Sequence, residues 1–208
     1  MKKTLSQNIW LNRQSKDKYF HLAKRKGYRS RAAFKLIEIE NKYKIVKKKY
    51  NIVDLGAAPG SWCQVLLNIV KNENKRILAI DLNDMQPLTN IFFLKQNITS
   101  IIEKERFFLP LANIGLVLSD MAPASTGHKL TDQIRADELC FAALNFSKKY
   151  LENGGNCVLK ILRGKGEQEI KLAAKKMFKK IEIFKPNSSR KESKEIYLVC
   201  LSFNNLHK

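Results

Sequence analysis

Three aspartates and one lysine stand where residues of those types could act together. Asp54 lies in the short apolar run Asn51-Ile52-Val53-Asp54-Leu55, which ends in Gly56-Ala57-Ala58-Pro59-Gly60 before helical periodicity resumes from Ser61 to Val70. Glycines between a strand and a helix let backbone approach a ligand, and an acidic residue about twenty positions on can accept hydrogen bonds from ribose hydroxyls. Asp81 holds that place, at the end of a second apolar run, Arg76 to Ile80. A dinucleotide fingerprint would need a third glycine and a helix N-terminus free to receive a pyrophosphate. This loop has two glycines with Pro59 between them, and Trp62 follows at once. It suits a nucleoside-bearing cofactor without pyrophosphate, of which S-adenosylmethionine is the common one. The plain alternative is a tight strand exit that binds nothing.

Asp120 closes a further strand-like run, Leu116 to Ser119, and Met121-Ala122-Pro123 follows. In open α/β sheets ligands sit beyond the carboxyl ends of the strands, so Asp54, Asp81 and Asp120 would share one rim. Any one of them alone could simply cap the next helix. Lys160 interrupts Cys157-Val158-Leu159-Lys160-Ile161-Leu162, a run whose pattern belongs to a strand buried on both faces. A lysine there either points to water from an edge strand or meets a partner at the rim. In the second case, with positive charge nearby and partial desolvation, it can serve as a general base.

The elements that must position these groups follow from periodicity. Ser30 to Lys44 puts Ala33, Leu36, Ile37, Glu40 and Tyr43 at helical spacing, with Ser30 as the expected N-cap, so Lys35 falls on a short amphipathic helix. Ile91 to Leu94 adds a strand, and Asp132 to Leu151 and Glu167 to Phe178 read as helices. Strands alternating with helices imply a largely parallel sheet. Lys180 to Phe184 and Glu195 to Phe203 are joined by a polar loop too short for a helical crossover, so they should pair antiparallel. Seven strands result.

The chain has 208 residues and a formal charge of +20, unevenly placed. Residues 1–49 carry 16 basic and 3 acidic side chains, residues 50–159 carry 10 and 11, and residues 160–208 carry 13 and 5. A neutral middle between two basic ends fits two arms around a phosphate-rich partner. The longest uncharged apolar-rich stretch, Phe107 to Ser119, is thirteen residues long, whereas a spanning helix needs roughly twenty. No membrane span or signal segment is expected, and a cytoplasmic location follows. Cys63, Cys140, Cys157 and Cys200 contain no Cys-x-x-Cys pair and read as reduced core thiols; His21, His128 and His207 form no ligand spacing, so no metal is expected.

Taken together, Gly27-Tyr28-Arg29-Ser30-Arg31-Ala32-Ala33-Phe34-Lys35-Leu36, the loop from Asp54 to Trp62, Leu118-Ser119-Asp120-Met121-Ala122-Pro123, Lys160, and the segment from Ser188 to Tyr197 resemble the FtsJ/RrmJ family of S-adenosylmethionine-dependent ribose 2′-O-methyltransferases. The resemblance covers nearly the whole chain in the family's order. It implies a Rossmann-like α/β fold in one domain over residues 1–208, with 1–30 as a basic RNA-binding extension. It implies a Lys-Asp-Lys-Glu tetrad, here Lys35, Asp120, Lys160 and Glu195, and cofactor contacts at Gly60, Trp62, Asp81 and Asp120. A further contact falls near the third strand, where the bacterial pattern has aspartate and this chain has Asn97. An asparagine carbonyl oxygen can still accept from an adenine amino group. The loop Ala124-Ser125-Thr126-Gly127-His128 also departs from the bacterial pattern.

The compact build most resembles the bacterial type that acts on large-subunit ribosomal RNA, with a uridine ribose as acceptor, ribosomal RNA or the large subunit as partner, and a monomeric enzyme. Action on tRNA, or a non-catalytic ribosome-assembly factor on the same fold, are the alternatives; the intact tetrad disfavours the latter. Lys16, Lys18, Lys24, Arg25, Lys26, Arg29 and Arg31 would contact phosphates. Tyr19, Phe20 and Tyr28 would either stack on bases or pack against the fold.

Overall fold

A computed structural model describes residue 15 and residues 17–47, 51–70, 76–104 and 112–204. Strands β1 (Asn51–Leu55), β2 (Ile77–Asp81), β3 (Ile91–Lys95), β4 (Ile114–Ser119), β5 (Leu151–Leu162), β6 (Phe178–Phe184) and β7 (Glu195–Phe203) form one sheet in the order β3-β2-β1-β4-β5-β7-β6. The first five pair parallel, while β7 runs antiparallel to both β5 and β6. The expected mostly parallel sheet with an antiparallel last strand is therefore what forms. The strand order reverses between β1 and β4, which leaves a crevice beyond their carboxyl ends.

Helices cover both faces, because alternate residues of the strands are apolar on both sides. Ile52, Leu116, Leu118, Val158, Tyr197 and Val199 meet α2 (Ala33–Tyr43) and α3 (Ser61–Ile69) on one face. Val53, Leu55, Val117, Leu159 and Ile161 meet α4 (Ile98–Glu103), α5 (Lys129–Tyr150) and α6 (Glu167–Lys175) on the other. Helix α1 (Lys18–Arg25) packs on α2, with Tyr19 and Tyr28 each against Phe34 at ring-centroid distances of 5.5 and 5.8 Å. These two tyrosines thus take the packing alternative. All four cysteines are buried and unpaired.

Several boundaries differ from expectation. Helix α2 begins at Ala33, with Ala32 as an N-cap in helical geometry; the Ser30 hydroxyl instead accepts from the Ala32 N–H at 3.2 Å and lies 2.6 Å from the Ser61 hydroxyl. The Ser30 turn is tied sideways to α3 rather than opening the helix. Helix α5 starts three residues early because the His128 side chain caps it, accepting from the Thr131 N–H. Strand β5 extends back to Leu151, since Ile114 of β4 pairs there before a bulge. Lys16 and His207 lie outside the described residues.

Candidate active site

The period-two geometry of the sheet decides which side chains meet. Lys160 pairs with Tyr197 across β5 and β7, and Glu195 sits two residues before Tyr197, so all three face α2. Asp120, one residue past β4, continues the face of Leu118 on the same side. Lys35 is on the first turn of α2, directly above them. The antiparallel direction of β7 puts its first residue, rather than its last, at the rim.

All four tetrad residues converge. The Lys160 ammonium donates to the Asp120 backbone carbonyl at 2.7 Å and lies 3.1 Å from Asp120 Oδ1. Lys35 Nζ is 2.9 Å from both Glu195 carboxylate oxygens and 3.7 Å from Asp120 Oδ2. Side-chain exposure is 11–16% for the four. Burial pushes the Asp120 carboxyl up, but Lys160, Lys35 and the Tyr197 phenol together outweigh it and hold its pKa below the ordinary carboxylate range. Tyr197 donates to Asp120 Oδ1 at 2.7 Å. Burial first, then Asp120 and Glu195, raise the phenol well above its usual pKa, so it stays a donor.

Two further residues that the sequence reading left without a role hold this cluster. Ser189 donates to Glu195 Oε1 at 2.8 Å. Glu38, one turn beyond Lys35 on α2, accepts from the backbone N–H groups of Asn187 and Ser188 at 2.6 and 2.9 Å and so fixes the β6–β7 loop. The i,i+3 spacing of Lys35 and Glu38 is the local signal that marks Glu38, and the i,i+2 spacing of Glu195 and Tyr197 marks the phenol described above; Ser189 has no such local signal.

Two cavities flank the cluster. One, of about 810 Å³, opens at the strand-order reversal and is lined by residues that include Gly56, Asp81, Asn97, Asp120 and Glu138. The other, of about 250 Å³, is lined by Arg31, Lys35, Ser189, Arg190 and Glu195, among others. Asp120 borders the first cavity, Lys35 and Glu195 border the second, and the Lys35–Asp120 contact spans the wall between them.

In the larger cavity, Asp81 Oδ2 accepts from the Ala58 N–H at 2.9 Å and Oδ1 from the Asn83 N–H at 2.7 Å, which ties the glycine loop to the end of β2. Gly56 has φ +74°, and an added Cβ would lie 2.7 Å from Met121 Cγ. The backbone after β1 thus meets the segment after β4 where only glycine fits. Asn97 lines this cavity, but its carbonyl oxygen accepts from the Thr99 N–H at 3.0 Å and caps α4. The acceptor expected for a ligand is already hydrogen-bonded to backbone.

Trp62 and Gly60 are not among the residues that line this cavity. Trp62 is 3% exposed, donates its indole N–H to the Ala32 carbonyl at 2.8 Å and packs 5.8 Å from the Tyr197 ring, so its side chain turns into the α2–α3 core and away from the larger cavity. Gly60 also stands outside that lining: an added Cβ would lie 2.7 Å from the Arg29 guanidinium. Arg29 itself donates to the carbonyls of Pro59, Gln86 and Pro87 at 2.7–3.0 Å and is a staple, not a free phosphate contact. Asp54 is 1% exposed and does not reach the rim; Cys63 Sγ donates to it at 3.3 Å. Burial raises its pKa to about 7, with Asp120 and Asp81 adding to the rise and the Cys63 bond opposing it. In the loop after Pro123, the Thr126 hydroxyl and N–H and the Ser125 hydroxyl donate to Asp132 and bring its carboxyl down to about 2.

Among the described residues no group of three or more His, Cys, Asp or Glu is placed to hold a metal ion, and no helix is long and apolar enough to cross a membrane.

Comparison with known proteins adds relatives to this geometry. Residues 28–203 match the family described as FtsJ-like methyltransferase. The chain is 42% identical over 201 residues to a protein of Pelagibacter ubique named ribosomal RNA large subunit methyltransferase E, covering 96% of this chain and 98% of that one. A protein of the same name from Bartonella bacilliformis is 43% identical, over 95% of this chain and 84% of that one. The crystal structure of a Plasmodium falciparum protein described as a ribosomal RNA methyltransferase superposes with a TM-score of 0.74 at 36% identity, covering 85% of this chain and 98% of the other.

Proposed function

This chain belongs to the FtsJ-like methyltransferase family, and we propose that it transfers a methyl group from S-adenosylmethionine to the 2′-hydroxyl of a ribose, that of a uridine, in large-subunit ribosomal RNA during ribosome maturation. The observation that carries this reading is the ionic tetrad standing as the wall between two cavities. A group transfer needs a donor seat and an acceptor seat that share one boundary. The relatives named for the large ribosomal subunit support the substrate. A cytoplasmic monomer, with residues 1–30 acting as an RNA-binding extension of one domain, completes the proposal.

The larger cavity fits the cofactor by size and donor set. Its volume of about 810 Å³ is in the range of sites that enclose a small molecule. Asp81 would receive the ribose hydroxyls, Gly56 and Ala58 would offer backbone, and Asp120 would face the cationic end. Asn97 would meet the base through its remaining amide capacity, since its oxygen already caps α4. When bound, S-adenosylmethionine supplies an electrophilic methyl group on a positively charged sulfur.

The chain's own residues have two tasks. A ribose hydroxyl is a weak nucleophile, so a positioned base must take its proton as attack proceeds. Lys160 is assigned that role: in its neutral form its nitrogen accepts the proton, and Asp120 Oδ1 and the Asp120 carbonyl hold the ammonium that results. Lys35, fixed by Glu195, orients the hydroxyl from the acceptor side. Mapping 2′-O-methyl positions in large-subunit RNA from cells with and without the protein tests the reading. One uridine losing its methyl group is the expected result, and an unchanged map would overturn it.

A further inference from the structure

The smaller cavity holds two guanidinium groups whose counter-ion comes from a distant part of the chain. Arg31 forms an ion pair with Asp17 Oδ2, and Arg190 Nε lies 3.7 Å from the same oxygen. A second Arg31 nitrogen donates to the Ser188 carbonyl. Burial first, then the like charge of Arg190, lower the Arg31 pKa, against the opposing pull of Glu195 and Glu192. Glu195, engaged by Lys35 and Ser189, and Glu192 also act on Arg31, but Asp17 is the carboxylate within ion-pair distance of both guanidinium groups. Its other oxygen, Oδ1, accepts from the N–H groups of Tyr19 and Phe20 at 3.0 and 3.2 Å and caps α1. One carboxylate therefore binds a helix with one oxygen and two arginines with the other. Beside them the buried Ser188 hydroxyl has no hydrogen-bond partner.

We propose that Arg31 and Arg190 form a seat for a phosphodiester of the RNA strand beside the ribose to be methylated, and that Asp17 fills this seat as an internal counter-ion which the strand displaces. The proposal rests on the RNA-methylating reading above. Guanidinium forks bind carboxylate and phosphate oxygens in the same bidentate manner, and a phosphodiester carries the same single charge as the aspartate it replaces. The exchange leaves neither guanidinium without a counter-charge at either stage. The seat shares its cavity with Lys35 and Glu195, so a phosphate held there places its own ribose against the tetrad. A tethered carboxylate competes at high effective concentration. An isolated phosphate ion is thereby disfavoured, while a strand gripped at several points can displace the aspartate.

The test uses Asp17→Asn in the full chain, since asparagine caps a helix as well as aspartate does but carries no competing charge. Binding of a short single-stranded RNA oligonucleotide and of S-adenosylmethionine is measured over a salt series. The variant should bind the RNA about 5-fold more tightly, with cofactor affinity unchanged within about 2-fold. Arg190→Ala should weaken RNA binding about 10-fold and reduce the slope of log affinity against log salt by about 0.7, the loss of one single-strand phosphate contact. Arg190→Lys should retain the slope while losing part of the affinity. RNA affinity that is unchanged or weaker in Asp17→Asn overturns the proposal, as does an Arg190→Ala slope equal to that of the unsubstituted chain, or an unsubstituted chain that does not bind the oligonucleotide. Failure of the methylation reading shows separately, as an unsubstituted chain that leaves ribosomal RNA unmethylated whatever the binding results.

Discussion

The two cavities on either side of the tetrad carry opposite charge. The larger is lined by Asp81, Asp120 and Glu138 against Arg135, and the smaller by Arg31, Lys35 and Arg190 against Glu195. Their walls come from the same sheet edge, yet one attracts a cation and the other an anion. A cationic and an anionic ligand, as the proposed donor and acceptor are, would be sorted by sign before any shape is tested. The tetrad, with two amines and two carboxylates, is the neutral boundary between them.

Lys160→Ala should break the comparison most severely. Methyl transfer should fall roughly 10³-fold or more, while cofactor affinity measured by calorimetry stays within about 2-fold, because Lys160 does not line the donor cavity. Asp120→Asn should act on both sides, since this carboxylate borders the donor cavity and engages both lysines. Turnover should drop roughly 10²-fold and cofactor affinity about 10-fold, read in one titration and one rate assay. A variant that loses only one of the two would separate functions that this structure joins.

Asp54→Asn reads the electrostatics beneath the donor cavity. With a folded pKa near 7, raised above its value in the unfolded chain, Asp54 favours folding at low pH and loses that contribution as pH rises toward 7. The variant should therefore melt close to the unsubstituted chain near pH 4 and progressively above it toward pH 8, by on the order of 4 kcal/mol at most. A constant difference across that range would contradict the assignment. The smallest effect is expected for Trp62→Phe. Cofactor affinity should change less than about 2-fold, because the indole faces Ala32 and Tyr197, although the lost hydrogen bond should lower the melting temperature.

What the sequence revealed was the part written in local pattern. A lysine inside an apolar strand and an aspartate at a strand end were anomalies of type, and both stand in the cluster. Alternation of strands and helices was enough for the parallel sheet, and the short link before Glu195 for the antiparallel end. Long-range commitments left no such mark. The partners of Arg29 are backbone carbonyls up to 58 residues away, so in the sequence it read as one more phosphate contact. Trp62 follows the glycine loop directly, yet one turn of helix sends its side chain inward. Ser30 looked like a helix cap until Ser61 provided a closer partner.

The position of β7 between β5 and β6 makes both the sheet and the ionic cluster depend on residues 195–203. Until residues 195–203 are available, β6 has no neighbour to pair with and the ionic cluster lacks Glu195 and the Tyr197 phenol. A polypeptide that stops before residue 195 would lose β7, leave β6 unpaired, and lack the carboxylate that holds Lys35 and the phenol that holds Asp120.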